Sequence, residues 1–119
     1  MAFSDHSLSE NYSKQAIPYY EKALKINSKH YESTYDLGRC YQRLKEYKKA
    51  IDYYEKALVI KKPVSQEALR YIGDCYRSLK DYKKAIEYYQ KALKQEPDNA
   101  YNVIIKADLE YCKKQLRKK

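Results

Sequence analysis

Apolar residues along this chain recur at spacings of three and four, the period of one face of an α-helix. Leu69, Ile72 and Tyr76 share such a face, and Ala85, Ile86, Tyr89, Ala92 and Leu93 form another downstream. Ser65 is placed to cap the first of these helices and Asp81 the second, since a short oxygen-bearing side chain can accept from the unpaired N–H groups of a first turn. Pro97 ends the second, because proline lacks the donor and disfavours helical geometry in the residue before it. The pattern predicts six helices: from Tyr12 or Ser13 to Asn27, Lys29 to Leu44, Tyr47 to Ile60, Gln66 to Leu79, Asp81 to Gln95, and one that Pro97-Asp98-Asn99 starts and that carries Tyr101, Ile104 and Ile105 toward the previous hairpin. Pro18 is the anomaly of the first helix, where the other copies have Asp52 and Glu87, and it implies a late start or a kink near the first turns. Residues 1–10 fit neither helix pattern and are expected to be loosely ordered.

The helices repeat. Residues 36–60 agree with 71–95 at 15 of 25 positions without a gap, an offset of 35, and residues 11–27 agree with 45–61 at 10 of 17, an offset of 34. Self-similarity at this period belongs to stacked helical arrays, in which each unit buries its apolar face on the next. One domain over residues 11–116 follows: a half repeat at 11–28, repeats at 30–63 and 65–97, and a capping helix at 98–116, with a basic end at 117–119. Ile105 stands where a repeat would carry glycine, which marks the last helix as a cap. Gly38 and Gly73, the only glycines, return at the same place in successive repeats. Glycine inside a helix costs about 1 kcal/mol against alanine, so its return predicts that another backbone passes close there. Tyr54 and Tyr89 are expected to fill the gap beyond the small residues. In the paired tyrosines Tyr19-Tyr20, Tyr53-Tyr54 and Tyr88-Tyr89, the second member is expected inside the hairpin and the first at the border of the next unit.

Leu69-x-x-Ile72-Gly73-x-x-Tyr76, followed by Ala85-x-x-x-Tyr89, Ala92 and Pro97, closely resembles the tetratricopeptide repeat pattern. The preceding copy reads Thr34-x-x-Leu37-Gly38-x-x-Tyr41, then Ala50-x-x-x-Tyr54 and Ala57, with its proline displaced by one residue to Pro63. Leu69 and Thr34 depart from the large aromatic of the pattern, and the resemblance covers roughly residues 14 to 116. It implies an all-α, right-handed solenoid of antiparallel helix pairs whose first helices line a concave groove for a partner protein or peptide. By that geometry the groove-facing positions are Tyr35, Arg39, Gln42, Arg70, Asp74, Arg77, Asn102 and Lys106. The set leans basic, which suits an acidic peptide, because planar guanidinium forks grip carboxylates at two points. Some members of the family clamp a chaperone's terminal carboxylate with Lys and Asn on successive first helices. The corresponding places here hold Tyr35, Arg39, Tyr71, Asn99 and Val103, so that clamp is absent. No glycine-bearing helix precedes the first one, and self-association through its unpaired face is a further expectation.

Charge first suggests nucleic acid, since the formal net charge is +9. Five of those positive charges lie in residues 113–119, however, which leaves +4 across the other 112 residues. A solvated end of the array explains such a tail, and a nucleic-acid-associated protein using Lys113 to Lys119 is kept as the alternative. Cys40, Cys75 and Cys112 show no CxxC spacing and read as small packing residues of a cytoplasmic protein. His6 and His30 are lone and carry no assigned role. Two glycines cannot build a phosphate loop, and no nucleophile stands in a recognisable pairing with a base, so an enzyme, a cofactor and a metal are not expected. No run approaches the ~18 apolar residues of a membrane span.

Overall fold

A computed structural model describes residues 5–118, in six α-helices: α1 (Asp5–Ile26), α2 (Tyr31–Arg43), α3 (Tyr47–Ile60), α4 (Gln66–Ser78), α5 (Tyr82–Gln95) and α6 (Asn102–Arg117). No strand occurs among the described residues. The chain forms two units, one ending at Lys61 and the other beginning at Lys62. In the first, α2 packs on both α1 and α3; in the second, α5 packs on both α4 and α6.

The first helix corrects the expectation for the start of the chain. Of residues 1–10, residues 1–4 lie outside the described residues, while 5–10 are helical and open α1. No glycine or proline interrupts residues 5–17, so nothing local stops the helix from extending upstream. Pro18 neither delays the start nor ends the helix, and sits inside α1. Of the basic end, Arg117 closes α6, Lys118 caps it, and Lys119 lies outside the described residues.

Local chemistry sets the other boundaries. Ser65 accepts from the Ala68 N–H and Asp81 from the Lys84 N–H, as their positions predicted. His30, which carries no expected role, caps α2 by accepting from the Ser33 N–H through Nδ1 at 3.2 Å. The turns after α2 and α4 are built alike. Lys45 N–H donates to Gln42 O and Glu46 N–H to Tyr41 O; Lys80 N–H donates to Arg77 O and Asp81 N–H to Tyr76 O. This pair of bonds is the Schellman closure, which requires a left-handed residue just past the helix. Lys45 and Lys80 take that place at φ 64° and 63°. A residue with a Cβ is strained there by about 1 kcal/mol or more, so Lys45→Gly and Lys80→Gly are each expected to raise stability by up to about 1 kcal/mol. Urea denaturation of each variant beside the wild type measures the gain.

The core follows the repeat. Leu37, Ala50, Tyr54 and Ala57 are fully buried in the first unit, and Ile72, Ala85, Tyr89 and Ala92 in the second. The glycines meet a side chain where a backbone was expected. A Cβ added at Gly38 would stand 2.7 Å from Cδ1 of Tyr54, and one at Gly73 would stand 2.8 Å from Cε1 of Tyr89. Each ring therefore lies flush on the helix at the one position without a side chain.

In two of the three tyrosine pairs the first member stacks within its own hairpin. Tyr53 lies on Tyr41 and Tyr88 on Tyr76, both with ring centroids 5.6 Å apart. Lysines close both ends of these stacks: Lys49 over Tyr41 at 5.3 Å, Lys56 over Tyr53 at 4.9 Å, Lys84 over Tyr76 at 5.4 Å and Lys91 over Tyr88 at 4.7 Å. Each contact sets an ammonium against the negative face of a ring, worth roughly 0.5–1 kcal/mol at an exposed site.

Candidate functional site

The residues expected to face a groove divide between the two units. Tyr35, Arg39 and Gln42 lie on α2 of the first, Arg70, Asp74 and Arg77 on α4 and Asn102 and Lys106 on α6 of the second. Most of them are engaged by their own fold.

In the first unit Tyr35 stacks on Tyr31, its neighbour one helical turn back, with centroids 5.9 Å apart, and tilts against Tyr54 at 5.6 Å. Gln42 accepts from the Tyr54 hydroxyl at 2.6 Å. A buried phenol needs such a partner, and the spacing from Gly38 to Gln42 supplies it one turn along the same face. Arg39 is half-buried, and its side chain makes no hydrogen bond or ion pair among the described residues. The outer side of α1 bears Tyr12 and Tyr19, the latter 76% exposed, around a shallow apolar dent with Ala16 and Tyr20.

In the second unit the corresponding phenol, Tyr89, donates to Asp74 instead. Arg77 stands 3.7 Å from that carboxylate and donates to Asp108 of α6 at 2.6 Å, so α4 and α6 are joined by a chain of four polar groups. Burial pushes the Asp74 carboxyl above its usual range, against the lowering pull of the Tyr89 hydroxyl and Arg77. The Tyr89 phenol is pushed up as well, by burial and by the Asp74 charge. A carboxyl whose folded pKa is raised stabilises the fold when protonated, and that stability is lost as pH rises through the folded pKa. Relative to Asp74→Asn, the wild type is thus expected to gain stability as pH falls from neutrality into the carboxylate range. Urea unfolding of both proteins at a series of pH values from 7 downward tests the sign; a constant or narrowing difference would refute it.

Arg70 is bracketed by rings, its guanidinium carbon 4.8 Å from the centroid of Tyr71 and 5.6 Å from that of Tyr101. Lys106 is exposed, and its side chain makes no hydrogen bond or ion pair among the described residues. Asn102 is buried, only 6% exposed. Its side-chain amide donates to the Glu96 and Pro97 carbonyls and accepts from Gln66, which also donates to Ala92 O at the end of α5. Two buried amides thereby satisfy the Ala92, Glu96 and Pro97 carbonyls and tie the turn after α5 to the start of α6.

Sequence reasoning missed Asp108, which offsets the charge of Arg77. Its partner lies 31 residues away, and α6 has no second copy to compare it with. Cys40, Cys75 and Cys112 are free and buried. Burial pushes the Cys75 thiol up to about 12 and raises the other two, which keeps them protonated and weak as nucleophiles. Among the described residues no group of three or more His, Cys, Asp or Glu could hold a metal ion, and no helix is long and apolar enough to cross a membrane.

Comparison with known proteins gives the family. Among solved structures the chain is similar to the first TPR of Spaghetti (RPAP3) bound to HSP90 peptide SRMEEVD, at 19% identity over 92% of this chain and 84% of that one, with a TM-score of 0.79. It is similar also to the Sgt2 TPR domain from Aspergillus fumigatus, at 22% identity over 97% and 81% of the two chains with a TM-score of 0.72. The second TPR domain of human RPAP3 in complex with HSP70 peptide SGPTIEEVD aligns at 18% identity over 89% and 85%, with a TM-score of 0.76. These likenesses establish the fold. No curated protein matches the chain. The tetratricopeptide repeat model matches residues 12–62 and again 32–95, so well over half of the sequence is covered and the chain belongs to the tetratricopeptide repeat family.

Proposed function

We propose that this chain is a noncatalytic protein-interaction module that binds acidic stretches of a partner protein through cations on the first helices of each unit. The observation that carries this reading is the state of the cations there. The side chains of Arg39 and Lys106 make no hydrogen bond or ion pair among the described residues, and Arg70 lies against two tyrosine rings without a carboxylate partner there. Arg77, by contrast, is already matched by Asp74 and Asp108, and Asn102 is spent on the turn before α6. The basic lean expected of the whole set thus narrows to three cations. Peptide-bound relatives support the reading in kind, since two of the fold neighbours are described with chaperone peptides. The buried, protonated thiols suit a reducing, intracellular setting.

A pull-down with the wild type beside an Arg39→Ala, Arg70→Ala, Lys106→Ala variant tests the assignment. Proteins retained by the wild type and lost by the variant are expected; equal retention would sink it. Arg77 is left untouched, because removing it strands two carboxylates and confounds folding with binding. The partner is not expected to be held by a terminal carboxylate clamp. Titration with the free acid SRMEEVD should accordingly give no saturable binding at micromolar concentration, and saturation there would restore the chaperone tail as ligand.

A further inference from the structure

The first unit carries a cleft of about 530 Å³ lined by the end of α1, the loop after it and the outer side of α3, with the buried Thr34 of α2 among its lining residues. Leu24, Val59 and Ile60 make it apolar, Lys29 and Lys56 bring two positive charges, and no carboxylate is among its described lining residues. None of Tyr35, Arg39 or Gln42 lines it, so it is separate from the surface assigned above.

Val59 sets this place apart. It is 75% exposed, and in the other two copies of the repeat the same position is Lys25 and Lys94. A solvated lysine therefore meets the needs of the fold, and a bare valine at the cleft has no packing reason of its own. One cation is held on a ring, and the other follows a hydrogen-bonded turn. The Lys56 ammonium rests 4.9 Å from the centroid of Tyr53, and Lys29 follows a turn in which its backbone N–H donates to Asn27 Oδ1 at 3.0 Å. Neither lysine has a carboxylate partner among the described residues. A volume of this size lies in the range of small-ligand sites and admits one or two side chains.

We propose that the cleft binds an extended acidic peptide segment of a partner protein, with one aliphatic side chain seated on Leu24, Val59 and Ile60 and flanking carboxylates paired to Lys29 and Lys56. The segment buries apolar surface where the repeat leaves it bare, and its charges answer the two ionic groups among the described lining residues.

Titration of ¹⁵N-labelled chain with the peptide Ac-EELEE-NH₂, beside Ac-EESEE-NH₂ and Ac-KKLKK-NH₂, tests the proposal. Saturable amide shifts centred on Leu24, Lys29, Val59 and Ile60 are expected with the first peptide, several-fold weaker binding with the second and none with the third. Lys29→Glu with Lys56→Glu should weaken binding at least about tenfold, and Val59→Gln should weaken it several-fold while the unperturbed spectrum reports an intact fold. Shifts confined to α2, α4 and α6, loss of binding in the Arg39, Arg70, Lys106 alanine variant alone, equal binding of the basic peptide, or no shift at millimolar peptide would each overturn the cleft assignment. Because the first-helix reading is tested by that alanine variant, the two can fail independently.

Discussion

Tyr89→Ala should lower the unfolding free energy by about 3–5 kcal/mol, the range for cutting a large aromatic out of a packed core. The ring is completely buried, lies against the bare backbone of Gly73, and has its hydroxyl on Asp74. Truncation leaves a hole that two packed helices cannot close, and it takes from Asp74 the donor that offsets its burial. Tyr89→Phe separates these contributions, since it keeps the ring and removes only the hydroxyl. A hydrogen bond to a charged group contributes about 1.5–3 kcal/mol, so phenylalanine should cost less than alanine by a clear margin. Helicity followed through urea unfolding measures all three proteins. A loss for Tyr89→Ala no larger than that for Tyr89→Phe would mean that the ring is not the keystone of the second unit.

Gly73→Ala should also destabilise, although alanine is the better helix former by about 1 kcal/mol. The new methyl would stand 2.8 and 2.9 Å from two carbons of the Tyr89 ring, and a fully buried ring has nowhere to swing. Overpacking of this kind costs about 1–3 kcal/mol, and contacts this short belong at the upper end, so a net loss of about 1–2 kcal/mol is expected. The sign should reverse once the ring is gone. In a Tyr89→Ala background the same substitution keeps only its propensity and should stabilise by roughly 1 kcal/mol. A double-mutant cycle therefore has a coupling of about 2–3 kcal/mol to find. Equal effects of Gly73→Ala in both backgrounds would show that the glycine serves something other than the tyrosine.

What the sequence disclosed came from comparing the chain with itself. Gly38 and Gly73, Tyr54 and Tyr89, and the small residues around them recur at one period, and recurrence reveals a packing requirement even where no single residue would. The caps at Ser65 and Asp81 were legible because capping is local chemistry. The His30 cap passed unnoticed because an imidazole is a less usual capping group than a hydroxyl or carboxylate, though its Nδ1 offers the same kind of lone pair. Recognising that a glycine faces something close was right, and naming a backbone as that something was not, since sequence spacing does not tell a neighbouring chain from a neighbouring ring.

The candidate binding surface was legible only in part for a related reason. Asn102 and Arg77 were placed by helical register, which says where a residue points from its own helix and nothing about what stands opposite. Opposite Asn102 stand Gln66 and two loop carbonyls; opposite Arg77 stands Asp108. Both belong to the packing of α6, the one helix without a clear copy elsewhere. The side chains of Arg39 and Lys106 make no hydrogen bond or ion pair among the described residues, so no such partner claims them.

The stacks that run lysine, tyrosine, tyrosine, lysine through each hairpin carry a chemical corollary. Acetylation of Lys49, Lys56, Lys84 or Lys91 would erase the charge that draws the side chain onto its ring, whereas methylation would leave that charge in place. Two marks on one amine, similar in bulk, would therefore part company here: one loosens the sandwich and the other spares it.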